Sequence, residues 1–250
     1  MLKRIKENNF MNIKLSNLKT KIFADGADIK TMVKLSRFNY IKGLTTNPSL
    51  MRKAGVKDYI GFSKSILKKI KKKSLSLEVF ADDPKTIQKQ AMIISKLAKN
   101  VYVKIPIMNT KKKYLFNTIK KLSDLGIKLN ITAIMNYKQV KMLIKYLNPN
   151  VNCYISIFAG RIADTGRDPV PILKKSINLI KNKKNFEIIW ASTREVFNII
   201  QANQIGCHII TVGNDFLKKL KYLNYNLEKF SLETVKDFYE DAKQSKFSIN

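Results

Sequence analysis

Short apolar runs rich in β-branched residues recur along the chain, and between them the apolar positions change period from two to three or four. The runs predict strands at 21–25, 41–47, 75–80, 101–106, 128–134, 153–159, 186–192 and 207–213. Successive starts lie 20 to 34 residues apart, which leaves room for a helix and two loops each time. Residues 85–98 place Ile87, Ala91, Ile94 and Ala98 on one helical face, and 113–125, 137–147, 169–181 and 194–204 behave similarly. Gly126 and Gly206 follow helical segments as stop signals. Residues 231–246 predict one more helix, with Ser231 or Thr234 as its N-cap.

Eight strands, each followed by a helix, imply parallel pairing through right-handed crossovers. Eight is the number that closes a (β/α)8 TIM barrel, and 250 residues suit one such α/β domain. No Pro/Gly-rich linker and no shift in composition divides the chain. We therefore expect an N-terminal extension at 1–20, a barrel at 21–230 and a C-terminal helix and tail at 231–250. Met11 offers a second start position.

In a closed barrel alternate strand residues face the helices and the lumen. Taking the apolar set as helix-facing, Ile22 and Ala24 point out, so Phe23 and Asp25 point in. Leu77 and Val79 point out, so Ser76, Glu78 and Phe80 point in. Val101, Val103 and Ile105 point out, which turns Lys104 inward, and Ile131 and Ala133 outward turn Asn130 and Thr132 inward. Ile155 and Ile157 leave Ser156 and Phe158 inside, and Ile189 and Ala191 leave Ser192 inside. Most of these polar residues lie toward the carboxyl ends of their strands, where barrel enzymes build their sites. Burying two carboxylates, a lysine and several hydroxyls in one lumen costs several kcal/mol unless they are paired, on the order given by transfer measurements. A catalytic site is the economical explanation.

The inward lysine narrows the chemistry. A desolvated amine gives up its proton more readily and becomes a nucleophile, most often toward a carbonyl carbon. Nearby carboxylates can move the protons that imine formation and C–C cleavage require. A pyridoxal enzyme could also use a barrel lysine, but no distinct partner for a pyridine nitrogen is evident. His208 is the only histidine, which excludes His-based triads. Cys153 and Cys207 form no CxxC pair, so neither a disulfide framework nor a metal site is expected, and a reduced cytoplasmic setting fits.

The net charge of +30 raises a nucleic-acid reading. The excess is nearly all lysine, spread along the whole chain, and its runs at 68–73, 111–113 and 181–184 read as solvated faces. Nucleic-acid binding is therefore the lesser alternative. No apolar stretch reaches membrane-span length, and the first twenty residues lack a continuous apolar leader core.

Six segments then carry a resemblance: KIFAD at 21–25, GLTTNPSL at 43–50, VKIP around Lys104, LNITAI at 129–134, SIFAGR at 156–161 and ASTRE at 191–195. In this order and over residues 21 to about 217 they resemble transaldolase, a class I aldolase barrel with its Schiff-base lysine on the fourth strand. The resemblance implies transfer of a dihydroxyacetone unit from fructose 6-phosphate or sedoheptulose 7-phosphate to an aldose phosphate, in the non-oxidative pentose phosphate pathway. It implies no metal and no organic cofactor. It would make Lys104 the nucleophile, Asp25 the acceptor of the C4 hydroxyl proton, and Glu78 a proton shuttle through a water positioned with Thr132. Asn47, Asn130 and Ser156 would bind donor hydroxyls beside Phe158, and Arg161, Ser192 and Arg194 would hold the phosphate.

The related fructose-6-phosphate aldolases resemble this pattern but typically carry Gln at the position of Glu78 and Tyr at that of Phe158, so both residues favour transfer over free cleavage. Gly26, Ile157 and Tyr102 depart from common family residues without removing a catalytic position. Family members often form rings through the C-terminal helix. A homo-oligomer joined by 231–246 is therefore expected, salt-sensitive because the subunits repel.

Overall fold

The computed structural model describes residues 13–246 and 249 of the chain. The expected extension at 1–20 and the Met11 start fall mostly outside them. The described part of that segment makes a short 3-10 turn at Leu15–Asn17. Asn224 anchors its start, with Ile13 N donating to Asn224 Oδ1 at 2.9 Å and Asn224 Nδ2 donating to Ile13 O at 2.8 Å.

Eight parallel strands close into a barrel in sequence order, each bonded to the next and the last to the first. They are β1 (Lys21–Asp25), β2 (Ile41–Thr45), β3 (Ser74–Glu78), β4 (Val101–Pro106), β5 (Leu129–Ile134), β6 (Cys153–Ile157), β7 (Phe186–Trp190) and β8 (Ile209–Gly213). Several expected strands run two residues too long at their carboxyl ends. Those residues leave the ladder to enter the loops that carry the site. Asn47, for example, caps the helix that follows β2.

The helices are α1 (Ile29–Ser36), α2 (Pro48–Lys53), α3 (Tyr59–Lys69), α4 (Pro84–Ser95), α5 (Phe116–Asp124), α6 (Tyr137–Leu143), α7 (Ala159–Ala163), α8 (Val170–Ile180), α9 (Phe197–Gln204), α10 (Asn214–Lys218) and α11 (Leu227–Ser245). Their starts follow local chemistry. Asp28, Asp58 and Asp83 each accept a hydrogen bond from the amide three residues on, which satisfies a donor that the first turn leaves unpaired. Asn136 does the same within a capping box closed by Gln139. Pro48 and Pro84 begin their helices, where a missing N–H costs nothing. The last helix starts at Leu227 under an Asn226 cap rather than at Ser231, because Asn226 already accepts from Lys229 N at 2.8 Å.

Two apolar layers hold the barrel. The outer one lies between strands and helices and includes Ile66, Leu75, Ile105 and Ile155, all fully buried. The inner one floors the lumen with Phe23, Tyr102, Tyr154, Ile189, Ala191 and Ile209. Tyr102 and Tyr154 stack with ring centres 3.9 Å apart, and Phe23 meets Tyr154 edge-on at 5.6 Å. Gly43 pairs with Phe23 across β1 and β2, and a Cβ there would sit 2.5 Å from the Phe23 ring. The glycine therefore makes the space for the aromatic floor.

Three expectations about facing are corrected. Ile189 and Ala191 line the lumen instead of the helix side, while Ile188 and Trp190 belong to the outer layer. Ser192 is not placed by strand parity, since β7 ends at Trp190 and Ser192 has a left-handed φ of 63°. Phe80, expected inside, is 57% exposed at the rim, where it meets the Tyr59 ring edge-on at 4.8 Å.

Candidate active site

Parallel register sets the first group. Glu78 on β3 pairs with Lys104 on β4, and Lys104 pairs with Asn130 on β5. All three are inward positions, so their side chains share one level of the lumen. Lys104 is 7% exposed. Its Nζ lies 3.0 Å from Glu78 Oε2 and donates to Thr46 O at 3.2 Å. The ion pair is off the hydrogen-bond direction, so Glu78 Oε2 is left without a hydrogen bond. Tyr59 donates to Glu78 O at 2.8 Å and pins the end of β3.

Thr132 stands two residues beyond Asn130 on β5, paired with Pro106. Its Oγ1 is buried with no partner, as are Thr46 Oγ1 and Glu78 Oε2. An unpaired buried polar atom costs about 1–3 kcal/mol. Of these atoms Glu78 Oε2 is the one in contact with the Lys104 amine.

Asp25 ends β1 on another side of the cavity. Thr45, its register partner on β2, donates to Asp25 Oδ1 at 2.8 Å. Burial pushes the Asp25 carboxyl above the usual carboxylate range. Lys104 and the Thr45 hydrogen bond pull it back in part, and Glu78 adds to the rise. A carboxylate with a raised pKa is a stronger base than an exposed one.

Three other expected donor-binding residues are already engaged. Ser156 donates to Asn130 Oδ1 at 2.7 Å, and Asn130 Nδ2 donates to Ser76 Oγ at 2.9 Å, a chain spanning β6, β5 and β3. This fixes the Asn130 amide orientation. Asn47 accepts from Leu50 N at 2.9 Å, while its amide nitrogen has no hydrogen bond among the described residues.

The arginines sit across the mouth. Arg161 lies on α7 with its guanidinium carbon 6.0 Å from the Phe158 ring centre. Arg194 follows β7 and grips Asp164 with both prongs, Nε to Oδ1 at 3.1 Å and Nη2 to Oδ2. The paired guanidinium holds the Asp164 carboxyl below its usual range. Gly160 brings the two arginine segments together. A Cβ on it would fall inside the Ser192 carbonyl, so the start of α7 rests directly on backbone. Among the described residues no group of three or more His, Cys, Asp or Glu side chains is placed to hold a metal ion.

Comparison with known proteins gives the same assignment. The family model described as Transaldolase/Fructose-6-phosphate aldolase matches residues 22–249. The chain belongs to the transaldolase/fructose-6-phosphate aldolase family. A probable transaldolase of Thermoanaerobacter sp. (strain X514) is 30% identical over 223 residues, 89% of this chain and 98% of that protein. One from Dehalococcoides mccartyi is 34% identical over 202 residues, 80% and 89% of the two chains. Among solved structures, KGPDC from Streptococcus mutans shares the fold at a TM-score of 0.53 and 11% identity, covering 78% of this chain and 88% of that one. A putative phosphonomutase from Burkholderia cenocepacia J2315 does so at 0.54 and 8%, covering 86% and 96%.

For a family barrel, sequence reasoning overlooked Thr45, Thr46, Thr211, Asp164 and Gly160. Thr211 carried a signal, since it is a lone hydroxyl in the apolar strand IITVG. Asp164 carried none, because its pairing depends on how α7 seats against the loop after β7.

Proposed function

We propose that the protein is a transaldolase that moves a dihydroxyacetone unit from a ketose phosphate to an aldose phosphate. The observation that carries this reading is the buried Lys104 amine, 3.0 Å from the Glu78 carboxylate, on the same lumen as Asp25. In its neutral form the amine adds to the donor's ketone carbon. Glu78, through water seated at Thr132, supplies the proton that lets hydroxide leave as water, and an iminium forms. Asp25 takes the C4 hydroxyl proton. The C3–C4 electrons flow into the iminium, giving an enamine and releasing an aldehyde. The enamine carbon then attacks the acceptor aldehyde, the new alkoxide recovers its proton from Asp25, and hydrolysis frees Lys104. No net oxidation occurs.

Asn47, Asn130 and Ser156 are read as the donor-hydroxyl contacts, and Arg161, Ser192 and Arg194 as the phosphate contacts. Arginine suits this task because it always carries charge and several donors; Arg194 spends Nε and Nη2 on Asp164, so Nη1 is the donor it would turn to a phosphate oxygen. Phe158 packs against the apolar floor and offers no phenol to activate water or protonate the enamine. That favours transfer over the free cleavage of a fructose-6-phosphate aldolase. The place in metabolism that fits is the non-oxidative pentose phosphate pathway. Two buried free cysteines suit a reducing cytoplasm, and among the described residues no helix is long and apolar enough to cross a membrane.

The α11 helix supports a homo-oligomer. It has no buried residue, and Leu227, Leu232, Val235, Phe238 and Tyr239 are all exposed on it. A second copy of the chain is the occupant we infer for this face.

Borohydride trapping with fructose 6-phosphate, read by intact and peptide mass spectrometry, is the primary test. A reduced three-carbon adduct on Lys104 is expected, and erythrose 4-phosphate should raise turnover. Lys104→Met should abolish both adduct and activity in a folded protein, and retained turnover would sink the imine assignment. Arg194→Ala should raise KM for phosphorylated donors at least tenfold more than for dihydroxyacetone, about the 1.4 kcal/mol lower bound for one charge-assisted contact. Equal effects on both would contradict its phosphate role. Light scattering should give a mass several times 28.8 kDa, reduced by Phe238→Glu and by low salt. A monomer under all conditions would overturn the oligomer.

A further inference from the structure

Asp25 is the end of a hydrogen-bonded chain. Thr45 Oγ1 donates to Asp25 Oδ1 at 2.8 Å and lies 2.5 Å from Thr211 Oγ1. A hydroxyl has one proton, and with Asp25 ionised Thr45 gives its proton to the carboxylate, which makes Thr211 the donor to Thr45. The chain has one direction, from β8 to β2 to β1. It runs through buried groups, with Thr45 3% and Thr211 8% exposed. Its origin is held in place by Thr193, which donates to Thr211 O at 2.7 Å.

We propose that Thr45 and Thr211 are positioning residues that keep Asp25 ionised and leave one of its oxygens open to the substrate. Oδ1 is occupied by Thr45, whereas Oδ2 accepts no hydrogen bond among the described residues. Oδ2 is the atom available to take a hydroxyl proton. The relay matters because Asp25 is partly buried, and desolvation disfavours the charged form. The charged groups facing Asp25 are Lys104 from β4, which favours the carboxylate, and Glu78 from β3, which opposes it. Thr45 adds a bond to the ionised state, and Thr211 strengthens that bond by polarising the Thr45 hydroxyl. This rests on the reading of Asp25 as the base in cleavage.

The sign follows directly. A bond donated to the carboxylate lowers its pKa, so removing the bond raises it. Activity needs the carboxylate, so the acid limb of kcat/KM moves to higher pH. Thr45→Val should raise that limb by about one pH unit, as expected for losing one hydrogen bond to a charged group. Thr211→Val should move it the same way by less, and Thr45→Ser and Thr211→Ser should stay near the parent. The Asp25 carboxyl titration, followed by NMR on protein labelled with carboxyl-13C aspartate and assigned with Asp25→Asn, should move in parallel. Borohydride trapping at Lys104 should persist in all four variants.

An unmoved limb and an unmoved carboxyl titration in Thr45→Val would overturn the proposal. Serine variants shifted as far as the valine ones would also overturn it, since the effect would then come from packing. Full activity in Asp25→Asn would instead remove the catalytic reading of Asp25. The NMR titration of Thr45→Val would still decide the relay in that case.

Discussion

Parallel register is the constraint on which the site depends. Glu78, Lys104 and Asn130 come from three strands, yet they lie side by side because β3, β4 and β5 pair residue for residue at that level. A one-residue slip of β4 would turn Lys104 to the helices and put Val103 or Ile105 in the lumen. Closure of the ring forbids such a slip, since every strand is bonded on both sides. The same pairing sets Asp25 beside Thr45 and Thr45 beside Ser76. The candidate site is thus assembled by backbone hydrogen bonds that involve none of its side chains.

The lumen divides into a floor that stabilises and an upper level that does not. Stacked Tyr102 and Tyr154, with Phe23 against them, fill the lower part. Above them stand an ion pair imperfectly aligned and hydroxyls without partners. Such groups oppose folding by about 1–3 kcal/mol each. The apolar sheath between strands and helices offsets them, because its many fully buried Ile and Leu side chains contribute roughly 1.5–3 kcal/mol apiece. Preorganisation of this kind is what lets fixed groups act at once on charge as it develops.

The sequence made much of this legible for a physical reason. Strands buried on one side by helices and lined on the other by polar groups alternate clearly, as in VYVKIP, and their inward residues could be assigned, whereas in LNITAI a bulge at Ala133 breaks the alternation and puts Ile134 in the outer layer instead. FEIIWA alternates with nothing, because Ile188, Ile189 and Trp190 are all buried on one face or the other. Parity is unreadable there, and the assignment failed. Glu78 and Lys104 were each legible as inward residues, and the register of β3 against β4 is what pairs them. The Arg194–Asp164 grip did not, since it depends on a five-residue helix pressed against a loop through Gly160. Asn226 was overlooked as a cap although Leu227 and Phe230 already stand at helical spacing in the first turn it starts.

Lysine is the most reactive common amine in a protein, and this chain is crowded with it. Basic residues number 48, yet Lys104 is the only lysine buried among the described residues. An acylating reagent in solution would meet the surface amines first and be consumed there. Enclosure, not chemical identity, thus sets one amine apart from a crowd of identical ones.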